Sequence, residues 1–145
     1  MSNSQSGNAR LVKEFYLAIN TQLPEQPTLP DRDRLALHRT LVSEEYQECM
    51  AIFDHLLTDG SDSETHFVQL VHELVDLLYV AYGALNACGV EADELFAEIH
   101  RANMDKTKGP RREDGKLLKP AGWQPANLVD IIQRQREQGT DGAQA

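Results

Sequence analysis

The sequence is poor in the residues that build redox and soft-metal sites. It has two cysteines in 145 residues, and Cys49 and Cys88 are too far apart for a CxxC motif. Both lie in apolar helical patterns, where a cysteine behaves as a small buried hydrophobe. A GxxxxGK[ST] loop is also absent, so the chain is not a P-loop enzyme and carries no thiol-based zinc or redox motif.

Basic residues are also scarce, because 14 Lys and Arg stand against 23 Asp and Glu and the net charge is -9. Binding to a nucleic-acid polymer depends on Lys and Arg that neutralise phosphates, so this balance argues against such a partner. The first ten residues, MSNSQSGNAR, lack the apolar segment of a secretory signal. We therefore expect a cytoplasmic protein.

The sequence also lacks a long hydrophobic run free of polar residues. Residues 70–88 are mostly apolar, but His72, Glu73 and Asp76 interrupt them. Ionisable side chains are costly inside a bilayer. We therefore expect no membrane partner, and we interpret this segment as a buried helix of a soluble bundle.

Helical periodicity accounts for most of the chain. A chain of this length forms one domain, which we place at residues 9–136 between disordered tails at residues 1–8 and 137–145. Apolar residues at spacings of three and four predict an all-α fold, a bundle of four to five helices. The predicted helices span residues 11–20, 34–57, 65–87, 91–106 and 126–136.

Two connecting segments have a distinct composition. Residues 21–30 contain three prolines, which favour an extended connection. Asp31 or Asp33 is expected to cap the helix that follows. Residues 106–119 form a basic segment in an acidic protein, and its Gly-Pro and Asp-Gly pairs predict a loop or short hairpin.

Carboxylates interrupt the apolar pattern of two consecutive predicted helices. Glu73 and Asp76 are the only acids between Phe67 and Cys88, and that stretch contains no Lys or Arg. An unpaired carboxylate in apolar surroundings costs several kcal/mol, so it protonates, pairs with a base or binds a metal ion. The preceding helix carries a second acidic group, formed by Glu44, Glu45 and Glu48.

The acids lie on matching stripes of the two helices. Spacings of four, three and four residues define one stripe on each helix. The stripes are Leu41, Glu45, Glu48 and Ile52 on the first helix, and Gln69, Glu73, Asp76 and Val80 on the second. A short connection makes the two helices antiparallel neighbours, so both acidic groups are expected to face a common groove.

The donor chemistry of the acids selects the cation. Hard cations prefer carboxylate oxygens, whereas di-iron and di-manganese bundles use Glu-x-x-His pairs, and no Glu here is followed by His three residues later. We therefore predict Mg²⁺ or Mn²⁺ as the cofactor. The predicted metal ligands are Glu44, Glu45, Glu48, Glu73 and Asp76.

Two other interpretations stay open at this level. The three acids of the first helix are typical of a solvated helix face. The acids of the second helix could instead pair with Lys or Arg of another chain across a dimer interface.

A metal ion and the basic segment together suit phosphate chemistry. Metal ions that bridge a polyphosphate, with Lys and Arg nearby, would polarise a phosphorus centre and orient a water for in-line attack. Glu45 or Glu44 is predicted to accept the proton of that water. Cations near Lys106 and Arg111 would offset the charge of the leaving phosphate or pyrophosphate.

The acidic motifs also resemble those of a known superfamily. Glu44-Glu45-x-x-Glu48 followed by Glu73-x-x-Asp76 resembles the EExxE and ExxD signature of the all-α nucleoside triphosphate pyrophosphohydrolases, which include MazG, dimeric dUTPases and phosphoribosyl-ATP pyrophosphohydrolase. Residues 100–106 resemble the Asn-x-x-Lys segment of that superfamily, and residues 119–125 resemble its C-terminal motif. With its GPRRxDGK stretch, the chain is most similar to the MazG-like dUTP-hydrolysing members.

This resemblance implies a homodimeric helical bundle that hydrolyses a nucleoside triphosphate, dUTP above all, to monophosphate and pyrophosphate with Mg²⁺ or Mn²⁺. Glu48, Glu73 and Asp76 would hold the metal, and Glu44 and Glu45 would add metal contacts or position the water. Asn103 and Lys106 would meet the nucleotide or its phosphates. From the basic segment and the residues after it we add as substrate-binding candidates Arg111, Arg112, Lys116, Lys119 and Trp123, the last of which could instead be a packing anchor. Two alternatives remain: an enzyme acting on phosphoribosyl-ATP, and a non-catalytic dimerisation module.

Overall fold

The computed structural model describes residues 7–59 and 64–141, and these residues are mostly helical. The helices are α1 (Asn8–Ala18), α2 (Arg32–Asp59), α3 (Glu64–Ala87), α4 (Ala92–Asp105) and α5 (Leu128–Asp141), with a 3₁₀ turn at Lys106–Lys108. Within the described ranges there is no strand, only an isolated antiparallel bridge between Arg111 and Leu117. The predicted all-α fold of four to five helices is confirmed.

The helices α2 and α3 form an antiparallel pair that holds the predicted groove. The Asp31 side chain accepts a hydrogen bond from the Arg34 backbone N–H at 2.9 Å and so caps the start of α2, as predicted. His55, near the end of α2, contacts His66, near the start of α3. Earlier on α2, Glu45 meets Asp76, which lies later on α3.

The proline-containing segment, residues 21–30, is attached to the end of α3. The backbone N–H of Thr28 donates to the carbonyl of Cys88 at 2.9 Å. Gly89 follows with φ at 67°, and a Cβ there would lie 2.4 Å from the carbonyl oxygen of Gln26. Only glycine fits both requirements, so α3 ends where it was predicted to end.

The last helix is longer than predicted. It continues beyond residue 136 to Asp141, so residues 137–141 are helical although a disordered tail was predicted from residue 137. The Gln135 side chain accepts a hydrogen bond from the Glu91 backbone N–H at 3.0 Å and donates one to Glu94 at 2.9 Å. Such tertiary contacts stabilise a helix whose own sequence is strongly polar. Residues 1–6 and 142–145, the rest of the predicted tails, lie outside the described residues, and Asn8 already belongs to α1.

The helix α3 was predicted to be buried, and for a single chain this prediction is wrong. Gly83, Asn86 and Ala87 are its buried residues, whereas Val75 and Leu78 are 54% and 55% exposed. The reason is that α1 and α2 cover only part of its circumference. Among the described helices, α3 alone is long and apolar enough to cross a membrane by length and composition, with a mean hydropathy of 1.3.

Candidate metal and substrate site

Three carboxylates converge in the groove between α2 and α3, and we call them the acid cluster. One oxygen from each of Glu45, Glu73 and Asp76 lies within 4.8 Å of the others, and all three residues are partly buried. Glu45 comes from α2, and the other two lie three residues apart on α3, so they project from the same helix face. The predicted convergence of the two acidic stripes is therefore present in the structure.

Glu48 and Glu44 flank the acid cluster in different ways. The Glu48 side chain lies close enough to Glu73 to raise the pKa of that carboxyl group, and both residues line the same cavity. Glu44 is exposed, and its charge is one of the influences that raise the pKa of Glu45. Glu48 is thus in contact with the acid cluster and Glu44 acts on it through its charge, while their roles as ligands remain predictions.

The surroundings of the acid cluster oppose its negative charge. Burial, followed by the charges of Glu48 and Asp76, raises the pKa of Glu45. Burial, followed by the contact with Glu48, raises the pKa of Glu73. Both groups therefore hold a proton more tightly than an ordinary glutamate does.

The acid cluster fits a divalent cation. The Oε2 atoms of Glu45 and Glu73 are shielded from solvent and accept no hydrogen bond from the described residues. A shielded carboxylate oxygen of this kind needs a proton or a positive charge. The donor set consists of carboxylate oxygens, which are the ligands that Mg²⁺ and Mn²⁺ prefer.

The two cysteines take no part in this chemistry as nucleophiles. Cys49 is 3% exposed, and burial, followed by the charges of Glu73 and Glu45, raises the pKa of its thiol. Burial also raises the pKa of Cys88. A thiol held in its protonated form is a poor ligand and nucleophile. The interpretation as a buried hydrophobe is confirmed for Cys49, whereas Cys88 is only partly buried.

A residue that the sequence analysis left without a role contacts the acid cluster directly. The Nε2 atom of His72 lies 2.8 Å from Oδ2 of Asp76, one turn away on α3. A partner of this kind orients a carboxylate and leaves its second oxygen available. The spacing of four residues on a helix was the signal that could have identified this pair.

Four of the predicted substrate residues come together beside α4, and we call them the lysine–tryptophan cluster: Asn103, Lys106, Lys119 and Trp123. The Lys106 ammonium donates a hydrogen bond to Asn103 Oδ1 at 2.8 Å. The ammonium groups of Lys106 and Lys119 lie 5.1 Å and 4.6 Å from the centre of the Trp123 ring, within cation–π distance. The indole N–H donates to the carbonyl of Ala102 at 2.7 Å and so fixes the ring against α4.

The other three predicted substrate residues, Arg111, Arg112 and Lys116, lie in the short hairpin predicted for the basic segment. The Arg112 backbone N–H donates to the carbonyl of Lys116 at 2.8 Å. The Arg112 guanidinium forms an ion pair with Asp114, and Arg111 donates to the carbonyl of Gly115 at 3.1 Å. Both arginines therefore bind partners within the hairpin itself.

The basic residues and the acid cluster remain separate within one chain. Among the described residues, no ion pair joins residues 103–123 to the acids of α2 and α3; the imidazole of His72 lies next to the acid cluster instead. The charges that act on Glu45 and Glu73 likewise come from neighbouring acids and His72. A shared site of acids and cations thus stays a prediction.

The sequence analysis also missed a pair of histidines in the same groove, which we call the histidine pair. The Nε2 atoms of His55 and His66 lie 3.1 Å apart. His55 follows Glu48 by seven residues, and His66 precedes Glu73 by seven residues. Seven residues are about two helical turns, so each histidine lies on the same helix face as its glutamate. Because Glu48 and Glu73 face each other across the groove, the two histidines do so as well. This shared spacing was the signal that could have identified the pair.

The helices α2 and α3 form an antiparallel pair. One carries the EExxE carboxylates and the other the ExxD carboxylates, and acids from both helices converge. This arrangement is that of the all-α nucleotide pyrophosphohydrolases. Residues 12–103 match the family model described as phosphoribosyl-ATP pyrophosphohydrolase. The match covers more than half of the chain and contains both acidic motifs, and the chain therefore belongs to this family. A comparison with curated proteins gives no match.

Membership in this family makes the chain a nucleotide pyrophosphohydrolase-like enzyme. The matched residues end at Asn103, so they leave out Lys106, the hairpin and Trp123. The acids thus lie inside the family match, whereas all five of the predicted substrate-binding cations lie beyond it.

Proposed function

We propose that the chain is a pyrophosphohydrolase that depends on a divalent metal and cleaves a nucleoside triphosphate between its α and β phosphates. The products are the nucleoside monophosphate and pyrophosphate. The observation that carries this proposal is the acid cluster, in which three carboxylates from two helices converge within 4.8 Å and two shielded oxygens accept no hydrogen bond from the described residues.

Glu48, Glu73 and Asp76 would hold Mg²⁺ or Mn²⁺, with Glu44 and Glu45 beside them. The bound cation supplies positive charge that offsets the phosphate oxygens and polarises the phosphorus centre. His72 orients Asp76 through their 2.8 Å contact. Such supporting contacts commonly change metal affinity tenfold or more, about 10–100-fold.

Glu45 is the proposed general base. The pKa of Glu45 is raised toward neutral pH. A base with such a pKa accepts a proton from water more efficiently than an ordinary glutamate does. The Glu45 carboxylate takes the proton as the water oxygen bonds to the α phosphorus. The bond from that phosphorus to the bridging oxygen breaks, and pyrophosphate leaves with the bonding electrons. Glu44, exposed one residue earlier, is the alternative base.

The lysine–tryptophan cluster is proposed to bind the phosphates of the substrate. Lys106 and Lys119 both lie over the Trp123 ring, which holds two positive charges close together. A polyphosphate is the kind of ligand that offsets two adjacent cations. The Arg111, Arg112 and Lys116 side chains of the hairpin would add long-range attraction.

Two substrates follow from two different observations. The resemblance of the GPRRxDGK stretch to the MazG-like dUTP-hydrolysing members favours dUTP, which is our first proposal. The family match over residues 12–103 favours phosphoribosyl-ATP as the second. Both carry a triphosphate cleaved at the same bond, so the acid cluster serves either one.

The test is a product analysis with a panel of nucleotides. The protein, with Mg²⁺ or Mn²⁺, is incubated with dUTP, the other deoxynucleoside triphosphates and phosphoribosyl-ATP, and products are separated by ion exchange. We expect a monophosphate and pyrophosphate from at least one of them, and most rapidly from dUTP. Formation of diphosphate and orthophosphate would contradict the proposed bond cleavage.

We further propose that two copies of the chain form a homodimer through α2 and α3. Large apolar side chains repeat along both helices and are at least 37% exposed. They are Tyr46, Met50, Phe53 and Leu57 on α2, and Val68, Val71, Val75 and Leu78 on α3. Exposed apolar stripes of this length are typical of helices that pack against a partner.

Light scattering coupled to size-exclusion chromatography tests this assembly. We expect twice the mass of one chain for the natural protein and the mass of one chain for Val75→Glu, which places a charge in the stripe. Lys13→Glu on α1 is the control and should remain dimeric. A natural protein that elutes as a monomer at micromolar concentration would overturn the proposal.

A further inference from the structure

The histidine pair is a second cluster of potential metal ligands in the α2–α3 groove. The two imidazole rings lie 4.5 Å apart between their centres and are inclined by 61°. Their Nε2 atoms are 3.1 Å apart, and both residues are partly exposed. The two Nε2 atoms therefore lie close together while both rings remain partly accessible from solvent.

The surroundings of the histidine pair form an acidic pocket. A cavity of about 430 Å³ is lined by His55 and His66 together with Glu48, Gln69 and Glu73. The two glutamates give the cavity a negative potential that attracts cations. The cavity also has room for several water molecules, which can complete the coordination of an ion held by two protein ligands.

The distance between the two nitrogens matches the span of two ligands on one metal ion. Zinc–imidazole bonds are about 2.0–2.1 Å long, so two such nitrogens lie about 3.3 Å apart at a tetrahedral angle and about 2.9 Å apart at a right angle. The observed 3.1 Å lies between these values. The two Nε2 atoms are already about as far apart as two nitrogen ligands of one ion. Metal binding would therefore require little change in the distance between the rings.

We propose that His55 and His66 form a nitrogen-donor site for a divalent transition metal such as Zn²⁺, Co²⁺ or Ni²⁺. Imidazole suits these ions, whereas the carboxylates of the acid cluster suit Mg²⁺ and Mn²⁺. The groove thus holds two sites of different selectivity. The second site does not depend on the proposed hydrolysis.

Metal binding would change the position of one ring proton. In the hydrogen bond between them, one Nε2 atom carries a proton and the other accepts it. A metal ion needs the lone pair of both Nε2 atoms, so the donor ring moves its proton to Nδ1. The proton moves within one ring, and no oxidant or reductant is required.

The position of the histidine pair gives the site a structural consequence. His55 is four residues from the end of α2 and His66 is two residues from the start of α3. An ion bound to both would join the two helices near their connection. Because a ligand of the native state raises apparent stability, the bound ion should raise the melting temperature.

Cobalt spectroscopy on the full chain tests the site. The protein is freed of metal with a chelator and titrated with Co²⁺ in excess Mg²⁺, which occupies carboxylate sites. We expect a visible absorption band that saturates at one Co²⁺ per chain in the natural protein. His55→Gln and His66→Gln should each weaken this binding at least about tenfold, because each removes one of two nitrogen ligands.

Two further variants separate this site from other ways of binding Co²⁺. Asp76→Asn removes a carboxylate of the acid cluster that does not line the cavity, and it should retain the band. His100→Gln removes an exposed histidine of α4 and should also retain it. Circular dichroism checks that all variants remain helical. Unchanged Co²⁺ binding in both His55→Gln and His66→Gln, or loss of binding in Asp76→Asn alone, would overturn the proposal.

Discussion

The acid cluster and the lysine–tryptophan cluster carry opposite charge and satisfy it in opposite ways. In the acid cluster, two carboxylate oxygens are shielded from solvent and accept no hydrogen bond from the described residues. In the lysine–tryptophan cluster, Lys106 already contacts Asn103 and the Trp123 ring. The acids would therefore be stabilised by an added positive charge, whereas the cations already contact local partners.

This contrast indicates how binding energy is divided between the two clusters. A group without a partner gains most when a ligand arrives, because no existing interaction has to be broken. A group that already has a partner gains only the difference between the old and the new contacts. We therefore expect substitutions in the acid cluster to reduce activity far more than substitutions among the cations.

The largest effect is expected for Glu73→Gln. The amide keeps the size of the side chain but removes the negative charge that would hold the metal, and metal-assisted charge stabilisation is worth several kcal/mol. We expect pyrophosphate release to fall at least about a hundredfold. A coupled assay for pyrophosphate measures this directly.

The matched control for Glu73→Gln is Asp54→Asn. Asp54 is an exposed acid on α2 that does not belong to the acid cluster, so its substitution removes the same charge outside that cluster. Its activity should stay within about twofold of the natural protein, as expected for a surface substitution. Equal losses in both variants would show that net charge, and not the acid cluster, controls activity.

The contrast between the two clusters also explains what the sequence could predict. The meeting of Glu45 with Glu73 and Asp76 follows from helical spacing and a short connection, both of which are local properties. The contact of Trp123 with Ala102 depends on the path of an irregular segment, which no periodic pattern sets. The exposure of α3 was missed for a related reason: an apolar pattern predicts burial but does not say which chain provides the cover.

The next effect concerns His72, which supports the acid cluster without belonging to it. His72→Gln removes the imidazole that lies 2.8 Å from Asp76. Loss of such a supporting contact lowers metal affinity about tenfold or more. Activity measured against Mg²⁺ concentration should show a higher requirement for the ion and nearly the same maximum rate. A fall in the maximum rate with no change in the Mg²⁺ requirement would contradict this role.

Substitutions of single cations are expected to reduce activity less than the substitutions described above. Lys106→Gln should raise KM for the nucleotide by about fivefold, the size of one partly exposed charge contact. Arg112→Gln should change KM by less, because Arg112 is already paired with Asp114. Steady-state kinetics on both variants tests the order. A larger effect of Arg112→Gln would mean that the hairpin, and not the lysine–tryptophan cluster, binds the phosphates.

The smallest effect is a pH dependence of stability in the metal-free protein. Burial raises the pKa of both Glu45 and Glu73. A glutamate with a raised pKa contributes stability below its ordinary value of 4.5, and this contribution is lost as pH rises through the folded pKa. The melting temperature of the metal-free protein should therefore fall as pH rises above the ordinary value of 4.5.

Glu98 provides the internal comparison for this pH dependence. A hydrogen bond from Arg101 and one from the Asn127 backbone lower the pKa of Glu98 from 4.5 to about 2. Its contribution is complete above 4.5 and is lost only as pH falls toward 2, so it does not affect the window above about pH 5. In that window Glu73→Gln should flatten the fall, because glutamine has no proton to lose. Added Mg²⁺ should also flatten it, since the cation offsets the ionised carboxylates. A metal-free protein that melts at a higher temperature near pH 8 than near pH 5 would show that the acid cluster does not dominate the titration.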